Sequence, residues 1–253
     1  MMTISYSKFA SYIRCPKAYW FRYIEGLVVP PPGSVILGRA FDDTVNANYL
    51  QKITTKQDFS LEEALDTYLD SWRNAIDEVG GEVDWEGKFT EGQAEDEKTC
   101  VNDGENLVRV YHTNIAPHVQ PIDIQKEIKA EVEGIQIIGF LDIEEKNTII
   151  DTKTATKGVW TQDKVDHDQQ LVVYSLVYGP KKKYRYDIAE RPRKNVKNRT
   201  YETKCFYRQI SEEDKKILLE DIYNVILAIE AGAFPRRKSP QNCRYCGYKP
   251  YCW

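Results

Sequence analysis

Apolar and polar residues alternate most clearly between Ile122 and Lys153, in "IDIQKEIKAEVEGIQIIGFLDIEEKNTIIDTK". A period of two puts successive side chains on opposite faces of an extended chain, so the stretch predicts strands over about 122–132, 135–145 and 148–153. Glu133-Gly134 and Lys146-Asn147 are the turn candidates of this mostly antiparallel meander. Upstream the period is helical. "SYSKFASYIRC" predicts a short helix with Ser5 or Ser7 near its cap, and Pro16 suits the first turn of the next. A loop is expected for "VVPPPG" at 28–33, then helices over about 35–50, 60–78 and 90–114. Downstream, a helix over about 166–178 carries Leu171, Tyr174 and Tyr178 on one face, and "YETKCFYRQI" at 201–210 alternates again. "SEED" at 211–214 matches a capping box and opens a last helix to about Ala231. Helices, meander, helix, strand and helix in that order suit an α/β or α+β sandwich.

Charge sharpens this picture. The 253 residues sum to −4, but Lys56 to Asn106 holds sixteen acidic against four basic residues, which predicts an acidic helical insertion or subdomain at about 56–106. Between Lys181 and Arg199 nine basic residues face two acidic ones. Such a run can follow a phosphate backbone or be a solvated, mobile loop. The longest apolar runs are too short to span a bilayer, and the N-terminal residues lack the pattern of a secretory signal, so no membrane partner and a cytoplasmic, reducing setting are expected. Six cysteines in that setting point to metal or redox use rather than disulfides.

Candidate chemistry lies in the meander. Asp142 sits in "GFLDI", and Asp151 and Lys153 in "IIDTK", where a period of two puts the latter pair on one strand face. Converging carboxylates would hold a hard divalent cation, and a lysine beside them would offset developing phosphate charge. The competing reading of Asp-x-Lys on a strand is a surface ion pair.

The ordered set Gly139-Phe140-Leu141-Asp142, then Ile149-Ile150-Asp151-Thr152-Lys153, then Gln170-Leu171-Val172-Val173-Tyr174 resembles the PD-(D/E)XK nuclease superfamily, in its RecB-type branch. The resemblance implies a restriction-endonuclease-like α/β fold, with a central mixed sheet flanked by helices. It implies an N-terminal helical region over 1–120, a nuclease core over 121–232 and a cysteine tail over 233–253. It further implies an exonuclease on single-stranded DNA or DNA ends that hydrolyses phosphodiesters with a metal-activated water, with Mg or Mn held by Asp42, Asp142, Asp151 and Thr152. Catalytic positions would be Asp142, Asp151, Lys153, Gln170, Glu127 and Tyr174, with Tyr174 also a candidate DNA contact, although a core-packed role suits it equally. DNA contacts would come from Lys157, Trp160, Lys181, Lys182, Lys183, Arg191, Arg193 and Lys194, with a partly buried loop anchor as the other reading of Trp160. One departure stands out: relatives usually carry a histidine four residues after a glycine on an early helix, and here Gly38 is followed at that spacing by Asp42. Two alternatives stand beside this reading: a catalytically weak DNA-end-binding scaffold, which this change favours, and a CRISPR spacer-processing nuclease acting with an integrase.

Cys243, Cys246 and Cys252 have the spacing Cys-x2-Cys-x5-Cys, and Cys15 is the candidate fourth ligand. One cysteine before the core and three after it resembles the iron–sulfur branch of these nucleases, which includes AddB-type enzymes and the small nuclease of CRISPR adaptation. That implies a [4Fe–4S] cluster, with structural zinc as the rival. Cys100 and Cys205 are expected to be unattached, Cys205 as a small buried hydrophobe. The chain shows no phosphate-binding Gly-x-x-x-x-Gly-Lys-Ser/Thr motif, so a helicase, recombinase or integrase would be a separate partner.

Overall fold

The computed structural model describes residues 2–89, 94–132, 134–194, 196–244 and 246–252. The chain opens with a short strand β1 (Met2–Ser5), then helices α1 (Tyr6–Arg14), α2 (Pro16–Tyr23), α3 (Gly33–Thr55), α4 (Leu61–Asp77) and α5 (Glu97–Asn114). Strands β2 (Pro121–Val132), β3 (Ile135–Glu145) and β4 (Thr148–Thr156) follow as the expected meander. Next come α6 (Gln162–His167), α7 (Gln170–Tyr178), β5 (Lys183–Arg191), β6 (Glu202–Arg208) and α8 (Glu212–Glu230). Two short helices, α9 (Pro240–Arg244) and α10 (Lys249–Cys252), form the cysteine tail.

Local chemistry sets these boundaries. Ser5 caps α1 by accepting the Lys8 N–H, and Ser60 and Ser211 each complete a capping box with Glu63 and Asp214. Gly134 turns β2 into β3 with φ +82°, a conformation that favours glycine, while Glu133 lies outside the described residues. Helix α5 begins at Glu97 rather than near 90, capped by Asp96, and residues 90–93 of that expectation also lie outside the described residues. The single helix expected over 166–178 is two. The Asp168 carboxylate accepts the Gln170 N–H, a local bond that stops α6 and starts α7.

The strands form one six-stranded mixed sheet running β1-β3-β4-β5-β6, with β2 also on β3. Strand β5 corrects the mobile-loop reading for the basic run as far as Arg191, while the described residues from Pro192 to Arg199 belong to no strand or helix. It lies between β4 and β6, parallel to the first and antiparallel to the second. Its Tyr184, Tyr186 and Ile188 are buried, and counting charges in "KKKYRYDIAER" hides that alternation. Helices α3, α4 and α5 pack on one sheet face, where Phe41, Tyr49, Tyr68 and Tyr111 meet Ile143, Ile150 and Ala189. On the other face α7 covers Leu141, Ile149 and Tyr186, while α1 and α8 cover Ile135 and Ile137. No helix among the described residues is long and apolar enough to cross a membrane.

Strand β3 is the hub. Strand β2 holds one edge along nearly its whole length, the register skipping Asp142 opposite Gln125, which takes φ +45°. The other edge is shared: β1 pairs with Ile135–Ile138, and β4 pairs only at Ile143 and Glu144. Residues 139–142 therefore face a fork where β3 and β4 separate.

Beyond the fork Glu144 ties three elements together. Its carboxylate takes Lys182 at 2.8 Å, the Tyr178 hydroxyl at 2.9 Å and Lys126 at 3.1 Å. Burial alone would raise its pKa, but these donors hold it below the ordinary 4.5. A depressed folded pKa means stabilisation that is complete above 4.5 and is lost as the pH falls through the lower folded value. Glu144→Gln is expected to cost about 2 kcal/mol at pH 7 and to flatten the fall in stability below about pH 5, read by urea denaturation across pH.

Candidate active site

The fork gathers four side chains from three elements. Asp142, on β3, reaches across to β4, where its Oδ2 accepts the Thr152 N–H at 3.0 Å in place of a strand ladder bond. The Thr152 hydroxyl points to the opposite face and donates to Asp42 Oδ1 on α3 at 2.9 Å. Asp151 is fully buried beside them, and Lys153 Nζ lies 2.5 Å from its Oδ2. The other carboxylate oxygen, Oδ1, accepts Gln170 Nε2 at 2.6 Å and the Tyr174 hydroxyl at 2.9 Å. Oδ2 has no aligned hydrogen bond, only the lysine charge.

Three carboxylates and one ammonium leave the fork with excess buried negative charge. Burial pushes the Asp142 carboxyl well above the usual range, and the Asp151 and Asp42 charges add to the shift. Burial also raises Asp42, against the Thr152 hydrogen bond, and raises Asp151, against Lys153 and Tyr174. Burial would lower the Lys153 ammonium, but Asp151 and Asp142 outweigh it and its pKa is raised. Lys153 is therefore a fixed cation. The donor set offers hard oxygen ligands in charge excess, the chemistry that a divalent ion neutralises. Among the described residues, no three His, Cys, Asp or Glu side chains are drawn tightly enough to hold a metal ion as they stand.

Several anticipated roles change. Tyr174 is 2% exposed, and its hydroxyl is spent on Asp151 and on the Phe140 carbonyl, so it orients the carboxylate and cannot meet DNA. Trp160 is buried against Tyr186, ring centroids 4.7 Å apart, with Lys164 above its ring, so it has no free face for a base. Glu127 stands outside the carboxylate network, opposite Phe140 on β2, with Lys129 at 3.1 Å. Cys205 is exposed, not buried. Asp168 escaped the sequence reading: it accepts the Tyr186 hydroxyl at 2.6 Å and the Gln170 N–H at 2.9 Å, which aims Gln170 at Asp151. Its signal, an acidic residue two before a helix-borne glutamine, is too common to single out.

A cleft of about 740 Å³ lies beside the fork, with Thr154, the residue after Lys153 in the chain, in its wall. The basic run reaches it only at its C-terminal end, through Arg191, Arg193, Lys194 and Arg199. Arg191 is already paired with Glu95 at 2.7 Å and Asp103 at 3.5 Å, and Arg199 also bonds Asp103. Lys157 is held by Thr200 and Glu202. Lys181, Lys182 and Lys183 precede or open β5 at the level of Thr148, away from the cleft, and Lys182 is bound to Glu144. Arg193 and Lys194 are the exposed cations at the cleft rim that sequence reasoning named.

The four cysteines line one small cavity with Phe21 and Tyr248. Cys15 lies between α1 and α2, and Cys243, Cys246 and Cys252 come from the tail. Burial raises the Cys246 thiol, and Cys15 and Cys243 lie close enough to add to the shift. The tail is also fastened without sulfur: Tyr12 donates to the Ala233 carbonyl, Arg237 to the Ile13 carbonyl, and Phe21 stacks on Tyr248 at 5.7 Å.

A mixed sheet flanked by helices, forked at two aspartates and a lysine, defines a restriction-endonuclease-like hydrolytic nuclease. Residues 3–253 match the PD-(D/E)XK nuclease superfamily, and the chain belongs to it. Its fold is similar to that of an exonuclease, so named provisionally, from Eubacterium rectale, with a TM-score of 0.55 at 13% identity over 99% of this chain and 88% of that one. A second solved structure, SSO0001, aligns over 100% of this chain and 86% of its own at 14% identity, with a TM-score of 0.40. No curated protein matches the chain.

The buried Tyr174 hydroxyl lowers the Asp151 pKa, so Tyr174→Phe is expected to move the acid limb of the pH–rate profile upward. The same change should cut kcat about tenfold and leave DNA affinity unchanged, as a steady-state pH series with a binding titration would show.

Proposed function

We propose that this chain is a magnesium- or manganese-dependent deoxyribonuclease that hydrolyses phosphodiesters in single-stranded DNA or at DNA ends, in exonuclease fashion. The observation that carries the reading is the fork itself, where Asp151 is clamped through Oδ1 and offers Oδ2 only to Lys153. Asp42, Asp142 and Asp151 would hold the ion, which when bound supplies Lewis-acid polarisation of the phosphoryl group and an acidified water. Thr152 keeps Asp142 and Asp42 in register by donating to both. Lys153, already a cation, stabilises the negative charge that gathers on the phosphoryl oxygens, and does not serve as a base. Gln170 fixes the rotamer of Asp151 and so the direction of its free oxygen. Arg193 and Lys194 lead a strand into the cleft by phosphate attraction. The name of the Eubacterium rectale neighbour agrees with the exonuclease reading.

The cysteine cavity supports a [4Fe–4S] cluster on Cys15, Cys243, Cys246 and Cys252, with four thiolates the ligand set it needs and zinc the rival. Such a centre would lock the tail onto α1 and α2.

Asp151→Asn and Lys153→Ala should each lower cutting of end-labelled single-stranded DNA by at least about 10³-fold while DNA affinity stays within about threefold. Undiminished cutting by both variants would overturn the assignment. Protein purified without oxygen should be brown and carry about four irons per chain, with Cys246→Ser losing both. A colourless protein with one zinc per chain would rule out the cluster and leave the fork chemistry intact.

A further inference from the structure

Phe140 is 60% exposed on β3, within the fork and two residues before Asp142. An aromatic ring left in water on a central strand forgoes the stabilisation that burial would bring. The surroundings explain its exposure only in part. Its cross-strand neighbour on β2 is Glu127, a charged side chain that does not cover a ring. Beyond Ile143 and Ile150 the β4 side of the ladder has opened, so no strand lies against it there. None of the ring pairs among the described residues includes Phe140.

Its backbone, by contrast, is fixed. The Phe140 carbonyl accepts the Tyr174 hydroxyl at 3.2 Å, and that same hydroxyl lies 2.9 Å from Asp151 Oδ1. One buried group therefore ties down both the Phe140 backbone and the carboxylate. An uncovered ring on a strand segment that is hydrogen-bonded into the carboxylate network has the properties of a stacking platform.

We propose that Phe140 forms a nucleobase subsite, stacking on an unpaired base of the strand whose phosphodiester is cut. The inference rests on the nuclease reading above and adds the source of its preference for unpaired DNA. A base inside a duplex has both faces covered by its neighbours, whereas a base at an end or in a single strand has a face to give. Every base has such a face, so the subsite is tolerant of sequence. It also supplies what Trp160 cannot, since the faces of Trp160 are occupied by Tyr186 and Lys164. Phosphate attraction from Arg193 and Lys194 brings the strand in, and stacking on Phe140 sets its register against Asp142 and Asp151.

The test compares wild type, Phe140→Ala and Phe140→Trp on a single-stranded oligonucleotide and on versions with one abasic nucleotide stepped along from the cut end. Phe140→Ala is expected to lose about 10- to 100-fold in kcat/KM, mostly through KM, with Phe140→Trp near wild type. An abasic nucleotide at one position should cost wild type a similar factor and cost Phe140→Ala nothing more. Equal abasic penalties in the two proteins, or activity of Phe140→Ala within twofold of wild type, would overturn the subsite. The ring is exposed, so thermal melting should be unchanged and a folding defect is distinguishable. Quenching of a 2-aminopurine oligonucleotide, measured in the Lys153→Ala background with and without Phe140→Ala, reads stacking without cutting. Phe140-dependent quenching, together with a wild type that cuts none of these substrates, would leave the subsite standing and the nuclease reading refuted. Quenching that ignores Phe140 would refute the subsite.

Discussion

An interior strand edge left without a partner strand is the constraint on which this protein is organised. Over residues 139–142 the outer edge of β3 belongs to neither β1 nor β4. Buried backbone groups left unpaired are costly, so side chains must stand in for the missing strand. Tyr174 takes the Phe140 carbonyl and Asp142 takes the Thr152 N–H. Those substitutions draw Asp142, Asp151 and Thr152 to one point, and α3 adds Asp42 through the Thr152 hydroxyl. The reactive cluster is thus a by-product of satisfying a fork in the sheet.

Charge is balanced unevenly around that cluster. Away from it, several buried acids are paired with cations: Asp187 with Arg185, Glu190 with Lys204, and Asp103 with Arg191 and Arg199. Within it, one lysine faces three aspartates, a deficit that a bound cation would remove. The acidic stretch before β2 contributes to this economy, because Glu95 and Asp103 occupy arginines that a count of basic residues would assign to phosphate. What remains exposed at the cleft rim is a smaller positive surface than the sequence suggests, and binding by charge alone is correspondingly modest.

Much of this was legible in the sequence, and the exceptions share a cause. The meander was readable because β2, β3 and β4 alternate with apolar faces, and Asp142, Asp151, Lys153 and Gln170 do converge. Strand β1 is only four residues long and runs straight into a helix, too short for a period to show. Strand β5 was masked by its charges, two of which are buried acids paired in three dimensions. The break at Asp168 has no proline or glycine to announce it and depends on Tyr186 from a strand not yet formed at that point in the chain. Aromatic roles were the least legible. Trp160 and Tyr174 are inside and Phe140 outside, because exposure at a fork depends on which strands separate rather than on the residue's own pattern.

The break between α6 and α7 also separates what can vary from what cannot. Asp168 is moored to Tyr186 on a central strand, and Gln170 starts a fresh helix from that mooring. The loop and short helix between Lys157 and His167 lie upstream of the anchor, so a residue gained or lost there is absorbed before it can rotate Gln170 away from Asp151. A continuous helix would turn every such insertion into a 100° swing of the glutamine. The anchor therefore insulates Gln170 and Asp151 from length changes in the exposed turns of that segment, between the points where Trp160 and Val165 hold it to the core.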